Sequence, residues 1–88
     1  MNERRLEKYL KALANRRRLA ILSYLKRAPA VNVGCIAQEI GLSFRATSRH
    51  LLLLEGVGIL DKTQRNKEVF YGISKKLDDF VHKILLQV

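Results

Sequence analysis

One cysteine, one proline and no tryptophan occur among the 88 residues. A single sulfur rules out an intrachain disulfide and a cysteine-rich metal site, since both need at least two. Long apolar runs are missing too. None, Leu51–Leu54 included, approaches the roughly 20 residues that cross a bilayer. The opening stretch MNERRLEKYLKALANRRR is charged throughout and has no apolar centre of the kind a secretory signal requires. Glycine-rich phosphate loops, clusters of acids with histidines, and paired nucleophile and base are also absent, which argues against an enzyme. The expectation from these absences is a cytoplasmic protein with no membrane association and no cofactor.

Acid is scarce. Eight Asp and Glu stand against 17 Lys and Arg, a formal charge of +9. That excess attracts a polyanion, with nucleic acid the first candidate and an anionic membrane surface the second. Solubility alone is the plainer explanation, although a charge magnitude of about 2–8 already serves that end. The 48% hydrophobic content describes an ordinary folded domain over residues 1–88, without linkers, repeats or low-complexity segments.

Along the chain, Leu6, Tyr9, Leu10 and Leu13 follow the spacing of one helix face over residues 3–13. Asn15 can cap a second helix with Leu19, Ile21, Leu22 and Leu25 inward, and Pro29 closes it. The PAV stretch reads as short and extended. Asn32 then caps a helix over Val33–Ile40 and Gly41 supplies its left-handed stop. Ser43 caps a fourth helix running to about Glu55, so residues 33–55 have the helix, short turn, helix order of a helix-turn-helix. Past Gly58 the period shifts to that of strands: ILDKTQ and EVFYGIS flank RNK as a hairpin over about 59–73. Leu77, Phe80, Val81, Ile84, Leu85 and Val88 form the apolar stripe of a last helix, about 75–87. The order ααα-α-ββ-α, mainly α with a small β-hairpin, is that of a winged helix-turn-helix.

The fourth helix is the informative one. At about 100° per residue, Thr47, Leu51 and Leu54 share an inward face while Arg45, Ser48, Arg49 and Leu52 point away from it. Leu53 falls on one flank, expected beneath the hairpin. A helix with exposed Arg near its N-terminus suits the major groove of double-stranded DNA: Arg binds guanine O6 and N7, Ser serves either strand, and an apolar group touches a thymine methyl. Phe44 and Ala46 flank the face and are candidates for the methyl contact. A solvated face with arginines that bind nothing is the alternative. On the hairpin, Lys62, Arg65 and Lys67 surround Asn66, a tip suited to phosphates or a narrow minor groove. Protection of an edge strand by lysine would produce the same pattern.

Residues 6–74 resemble the ArsR-type, or arsenical-resistance repressor-like, winged-helix transcriptional regulators. LKALANRRRLAILSYL looks like that family's L-x-x-L-x-(D/N)-x-x-R-L-x-I-L opening, with Arg18 at the arginine position. VGCIAQEIGLSFRATSRHLLLLEGVGIL is similar to its central pattern, in which Ser48, His50, Leu51, Leu54 and Gly58 match. KEVFYGIS resembles the returning strand of the wing. The resemblance implies a homodimer joined through the first and last helices, here Leu6, Tyr9, Leu10, Leu13, Leu77, Phe80, Val81, Ile84 and Leu85. It further implies a palindromic operator, a repressing role, and a ligand that lowers DNA affinity, though it names no effector. His50 is placed at the helix surface, in packing or on phosphate.

The chain departs from the family's metal sensors. Asn32 and Gly34 stand where arsenic sensors carry cysteines, leaving Cys35 alone. Zinc sensors use an Asp/His set at the start of the last helix and a His pair near its end; Asp78, Asp79 and His82 are present here, with no match at Gln87. No metal site is expected. Leu52 replaces a polar or basic residue, Gly56 is positioned to end the fourth helix early, and Arg16 and Arg17 are additional cations. An RNA-binding or protein-interaction module without an operator stays open as the alternative function.

Overall fold

The computed structural model describes residues Met1–Val88. Five helices and three short strands follow in the order α1 (Glu3–Leu13), α2 (Arg16–Leu25), β1 (Val31–Asn32), α3 (Val33–Ile40), α4 (Phe44–Gly56), β2 (Leu60–Arg65), β3 (Glu68–Ile73) and α5 (Asp79–Leu85). Local chemistry accounts for most of these boundaries. Asn2, Asn15, Asn32 and Ser43 each accept a hydrogen bond from the backbone N–H three residues on, at 2.8–3.1 Å. Each satisfies a donor that the first turn of a helix leaves free. Gly41 (φ 67°) and Gly58 (φ 86°) end α3 and α4. At both, the closing bonds are paired: Leu42 N–H to Ala37 O with Gly41 N–H to Gln38 O, and Ile59 N–H to Leu54 O with Gly58 N–H to Glu55 O. This left-handed closure suits glycine because an L side chain is strained there. Gly56 does not stop α4, which runs through it to the cap at Val57.

β2 and β3 form the hairpin, paired from Leu60 with Ile73 to Arg65 with Glu68. Asn66 at φ 56° makes the tight turn, a conformation that Asn tolerates better than most residues. β1 joins the other edge of β3, with Val31 opposite Tyr71, giving a three-stranded antiparallel sheet in the order β1-β3-β2. The short extended piece after Pro29 therefore ties the start of α3 to the wing.

One apolar core joins all the helices and the sheet. Ile21, Leu22, Ile36, Leu51, Leu54, Ile59 and Val81 are fully buried at 0% exposure. The last helix is shorter than its apolar stripe suggests. Leu77 precedes it in an irregular segment, and Asp78 occupies the N-cap position without capping, because its carboxylate is engaged with Arg5 and Tyr9. No helix is long and apolar enough to cross a membrane.

Candidate nucleic-acid interface

The helix-turn-helix places α4 with two unlike sides. Thr47, Leu51 and Leu54 are all 0% exposed, anchoring the helix to the core. Arg45 and Arg49 project from the opposite side, exposed. Neither makes a side-chain hydrogen bond or ion pair; the three salt bridges of the protein join Arg5 to Asp78, Lys11 to Glu7 and Lys83 to Asp79. Two guanidinium groups one helical turn apart are thus held by the backbone beneath them and left with all their donors unassigned.

The remaining α4 residues divide between its flanks. Phe44, Ser48 and Leu52 line the side facing the wing, where a cleft of about 390 Å³ separates them from Lys62, Lys67, Glu68 and Val69. Phe44 and Leu52 are 62% and 49% exposed. Ala46 and Ser48 are half-buried. Leu53 lies on the flank away from the wing and is 42% exposed, so the expectation that it packs beneath the hairpin is corrected. The reason is angular. Leu53 is 100° beyond Leu52, and that step carries it past the outer face, away from the flank that lines the cleft with the wing.

His50 occupies the α2 side of the helix. Its Nδ1 lies 3.3 Å from Arg18 Nη1, which donates to it when that nitrogen is unprotonated. The ring is therefore drawn to α2 and away from the exposed face, which favours packing over phosphate contact. Arg18 also donates to Lys11 O (3.0 Å) and Ala12 O (2.5 Å), gripping the last turn of α1. Arg17 donates to Ile40 O at the end of α3 (3.3 Å), whereas Arg16 is exposed and makes no such bond. Cations at helix C-termini oppose the negative end of the helix dipole. The Arg-rich start of α2 is in this way a clamp on α1, α3 and α4.

Burial first, then Arg18 and Arg17, hold the His50 pKa below the ordinary histidine range. The fold prefers the neutral ring, so the unfolded chain takes up a proton first as pH drops. Stability is expected to be complete above about pH 6.5, the ordinary histidine value, and to decline as pH falls through the interval down to the folded value. Thermal unfolding followed from about pH 7.5 to about pH 5 checks this; His50→Asn, which retains an acceptor for Arg18, should flatten the slope.

On the wing, Lys62, Arg65, Asn66 and Lys67 are all exposed. Arg65 stacks over the Phe70 ring at 5.7 Å, which stiffens the approach to the tip while leaving its charge outward. Asn32 Nδ2 donates to Glu68 Oε1 at 3.2 Å, so the acid at the tip is tied to α3. Lys62 and Lys67 share the cleft with α4, whereas Arg65 lies on the other face of the hairpin, with Asp61 and Thr63.

Of the nine residues expected at a dimer interface, Tyr9, Leu13, Val81 and Leu85 are instead buried in the protomer's own core, at 0–7% exposure. Their helices pack inward on the side these residues share. Leu10 is 49% exposed, and Leu6, Leu77, Phe80 and Ile84 are half-buried, so an apolar face persists on α1 and α5 without them. A polar tie holds this face together. The Tyr9 hydroxyl donates to Asp78 Oδ2 at 2.6 Å, and Arg5 donates to the same oxygen (3.0 Å) and to the Tyr9 hydroxyl (2.9 Å). These bonds, that from Tyr9 foremost, keep the Asp78 carboxyl below its usual range. Asp79 pairs with Lys83 at 3.3 Å, and Cys35 is exposed and unpaired.

No protein-family profile matches the chain. Curated relatives do. Over 67 residues it is 33% identical to the HTH-type transcriptional regulator YgaV of Escherichia coli K12, spanning 76% of this chain and 68% of that protein. With the transcriptional activator HlyU of Vibrio cholerae it shares 34% identity over 82 residues, 89% of this chain and 75% of HlyU. The chain belongs to the ArsR family of winged helix-turn-helix transcriptional regulators. This is a family of regulators, not of enzymes. Reduced HlyU superposes with a TM-score of 0.82 at 31% identity, covering 98% of this chain and 86% of HlyU. The homodimeric winged helix-turn-helix DNA-binding domain from Mycobacterium bovis superposes at 0.81 with 26% identity, covering 96% and 74%.

Residue spacing alone points to the exposed arginines and the wing cations. The clamp formed by Arg17 and Arg18 is not legible in this way: Arg18 matches the family pattern, but only the packed helices reveal that it reaches carbonyls of α1 and a ring on α4.

Proposed function

We propose that this ArsR-family protein is a homodimeric, sequence-specific DNA-binding repressor, acting in the cytoplasm, with α4 in the major groove and the wing on the backbone or minor groove. One observation carries the reading: Arg45 and Arg49 are presented by a helix anchored in the core through Thr47, Leu51 and Leu54, exposed and free of any internal partner. The dimer reading is supported by the apolar face left on α1 and α5 and by the homodimeric Mycobacterium bovis domain. Twofold symmetry requires a palindromic site, and two helices on one face of the duplex read half-sites about one helical turn, roughly 34–36 Å, apart. A dimer bound across a promoter blocks transcription by occupancy, and a ligand that lowers DNA affinity would relieve it.

Selection of genomic fragments on the immobilised protein tests this. One enriched palindromic sequence, bound by two chains per duplex, is the expected result. Weak and uniform retention of all fragments would point instead to a general polyanion-binding module. Replacing Lys62, Arg65 and Lys67 together by alanine should reduce the salt dependence of binding by about 0.9 in logarithmic slope for each phosphate no longer neutralised. An unchanged slope removes the wing from the DNA.

A further inference from the structure

We propose that the flank of α4 facing the wing reads the 5-methyl group of thymine, with Leu52 and Phe44 as the contact residues. The inference rests on the DNA-binding reading above and refines it. Phe44, Ser48 and Leu52 succeed one another at four-residue intervals, forming a ridge along one wall of the cleft between α4 and the wing. Phe44 is 62% exposed and Leu52 49%, although the surface around them carries Arg45, Arg49, Lys62 and Lys67. Large apolar groups beside cations suit a partner that is anionic and also offers apolar area.

The major groove of DNA meets both conditions at one kind of position. Its base edges present nitrogen and oxygen donors and acceptors at every pair, and the thymine methyl is the one apolar group that projects into it. The Leu52 side chain has no donor or acceptor, so it can distinguish bases there only through that methyl. Ser48, between Phe44 and Leu52, supplies a hydroxyl for a neighbouring polar edge. Lys62 and Lys67 on the opposite wall of the cleft are positioned for the phosphates flanking the contacted base. The cleft therefore accommodates a strand edge, apolar on the side of the base and cationic on the side of the backbone.

The test uses the full chain and the DNA fragment enriched by genomic selection, synthesised with thymine and with deoxyuridine at each position in turn. Uracil keeps every pairing and hydrogen-bonding group and lacks only the methyl. At one or two positions per half-site, deoxyuridine should weaken binding by about threefold to fivefold, the value of one buried methyl group. Leu52→Ala and Phe44→Ala should each bind the two forms equally at the position that residue contacts, with the salt slope unchanged in both and the melting temperature unchanged in Leu52→Ala. Arg49→Ala should lose affinity yet keep the thymine preference. Equal affinity of the unsubstituted protein for both forms at every position overturns the proposal, as does a thymine preference that survives in both Leu52→Ala and Phe44→Ala. In either case a bound, enriched fragment leaves the DNA-binding reading standing, and the apolar ridge becomes a surface for a protein partner. If no fragment is enriched, both readings fall together.

Discussion

Replacing Arg45 and Arg49 together by alanine is expected to lower affinity for the preferred DNA sequence by about 100-fold or more, with little change in stability. A bidentate Arg–guanine contact contributes about 1–3 kcal/mol of discrimination, and each single substitution should cost about that much. The two residues are one turn apart on α4, so their effects need not add. Stability is spared because both side chains are exposed and neither bonds to the rest of the protein. Anisotropy titrations on the selected site and on a scrambled duplex, at one salt concentration, check the prediction. Base reading requires the loss to be larger on the selected site. An equal loss on both duplexes would make these residues phosphate ligands. Lysine at either position retains the charge but not the planar fork, so Arg49→Lys should recover non-specific binding more fully than specific binding.

Leu51→Ala should destabilise the fold by about 2–5 kcal/mol, whereas Leu52→Ala should stay within about 0.5 kcal/mol. The two residues are chemically identical neighbours. Leu51 is 0% exposed against the core, and its truncation leaves a cavity beneath the helix-turn-helix; Leu52 is 49% exposed. Against a total stability of about 5–15 kcal/mol, the first loss is a large fraction. Urea denaturation followed by circular dichroism measures both. Similar midpoints for the two variants would contradict the two-sided arrangement of α4, on which the DNA-binding reading depends.

Several features are legible in the sequence because they are local. Side-chain caps at Asn15, Asn32 and Ser43 act over three residues, and Gly41 ends α3 through its own backbone angle. The period of apolar residues is also local, so the inward face of α4 follows from helical geometry alone. The shift of period after Gly58 marks the hairpin in the same way. The +9 charge and the exposed Arg45 and Arg49 then indicate the class of partner.

Other features depend on what each element packs against. β1 is only two residues long, and its pairing with β3 joins Val31 to Tyr71 across the chain. Nothing within a few residues of Val31 encodes that contact. Whether Tyr9 and Val81 face a partner or the protomer's own core depends on where α1 and α5 sit, and an apolar stripe is the same in both cases. Leu53 differs from expectation because helical geometry specifies an angle but not which neighbour lies at that angle.

By itself, the sequence determined the helices, their caps, the cationic character of the surface and the inward face of α4, since each follows from interactions over a few residues or from simple charge. Only the tertiary structure decided that Arg18 clamps α1 and His50, that Phe44 and Leu52 share a cleft with the wing lysines, and which apolar residues remain on α1 and α5. Those outcomes depend on long-range packing, which brings together residues whose separation along the chain carries no record of their meeting.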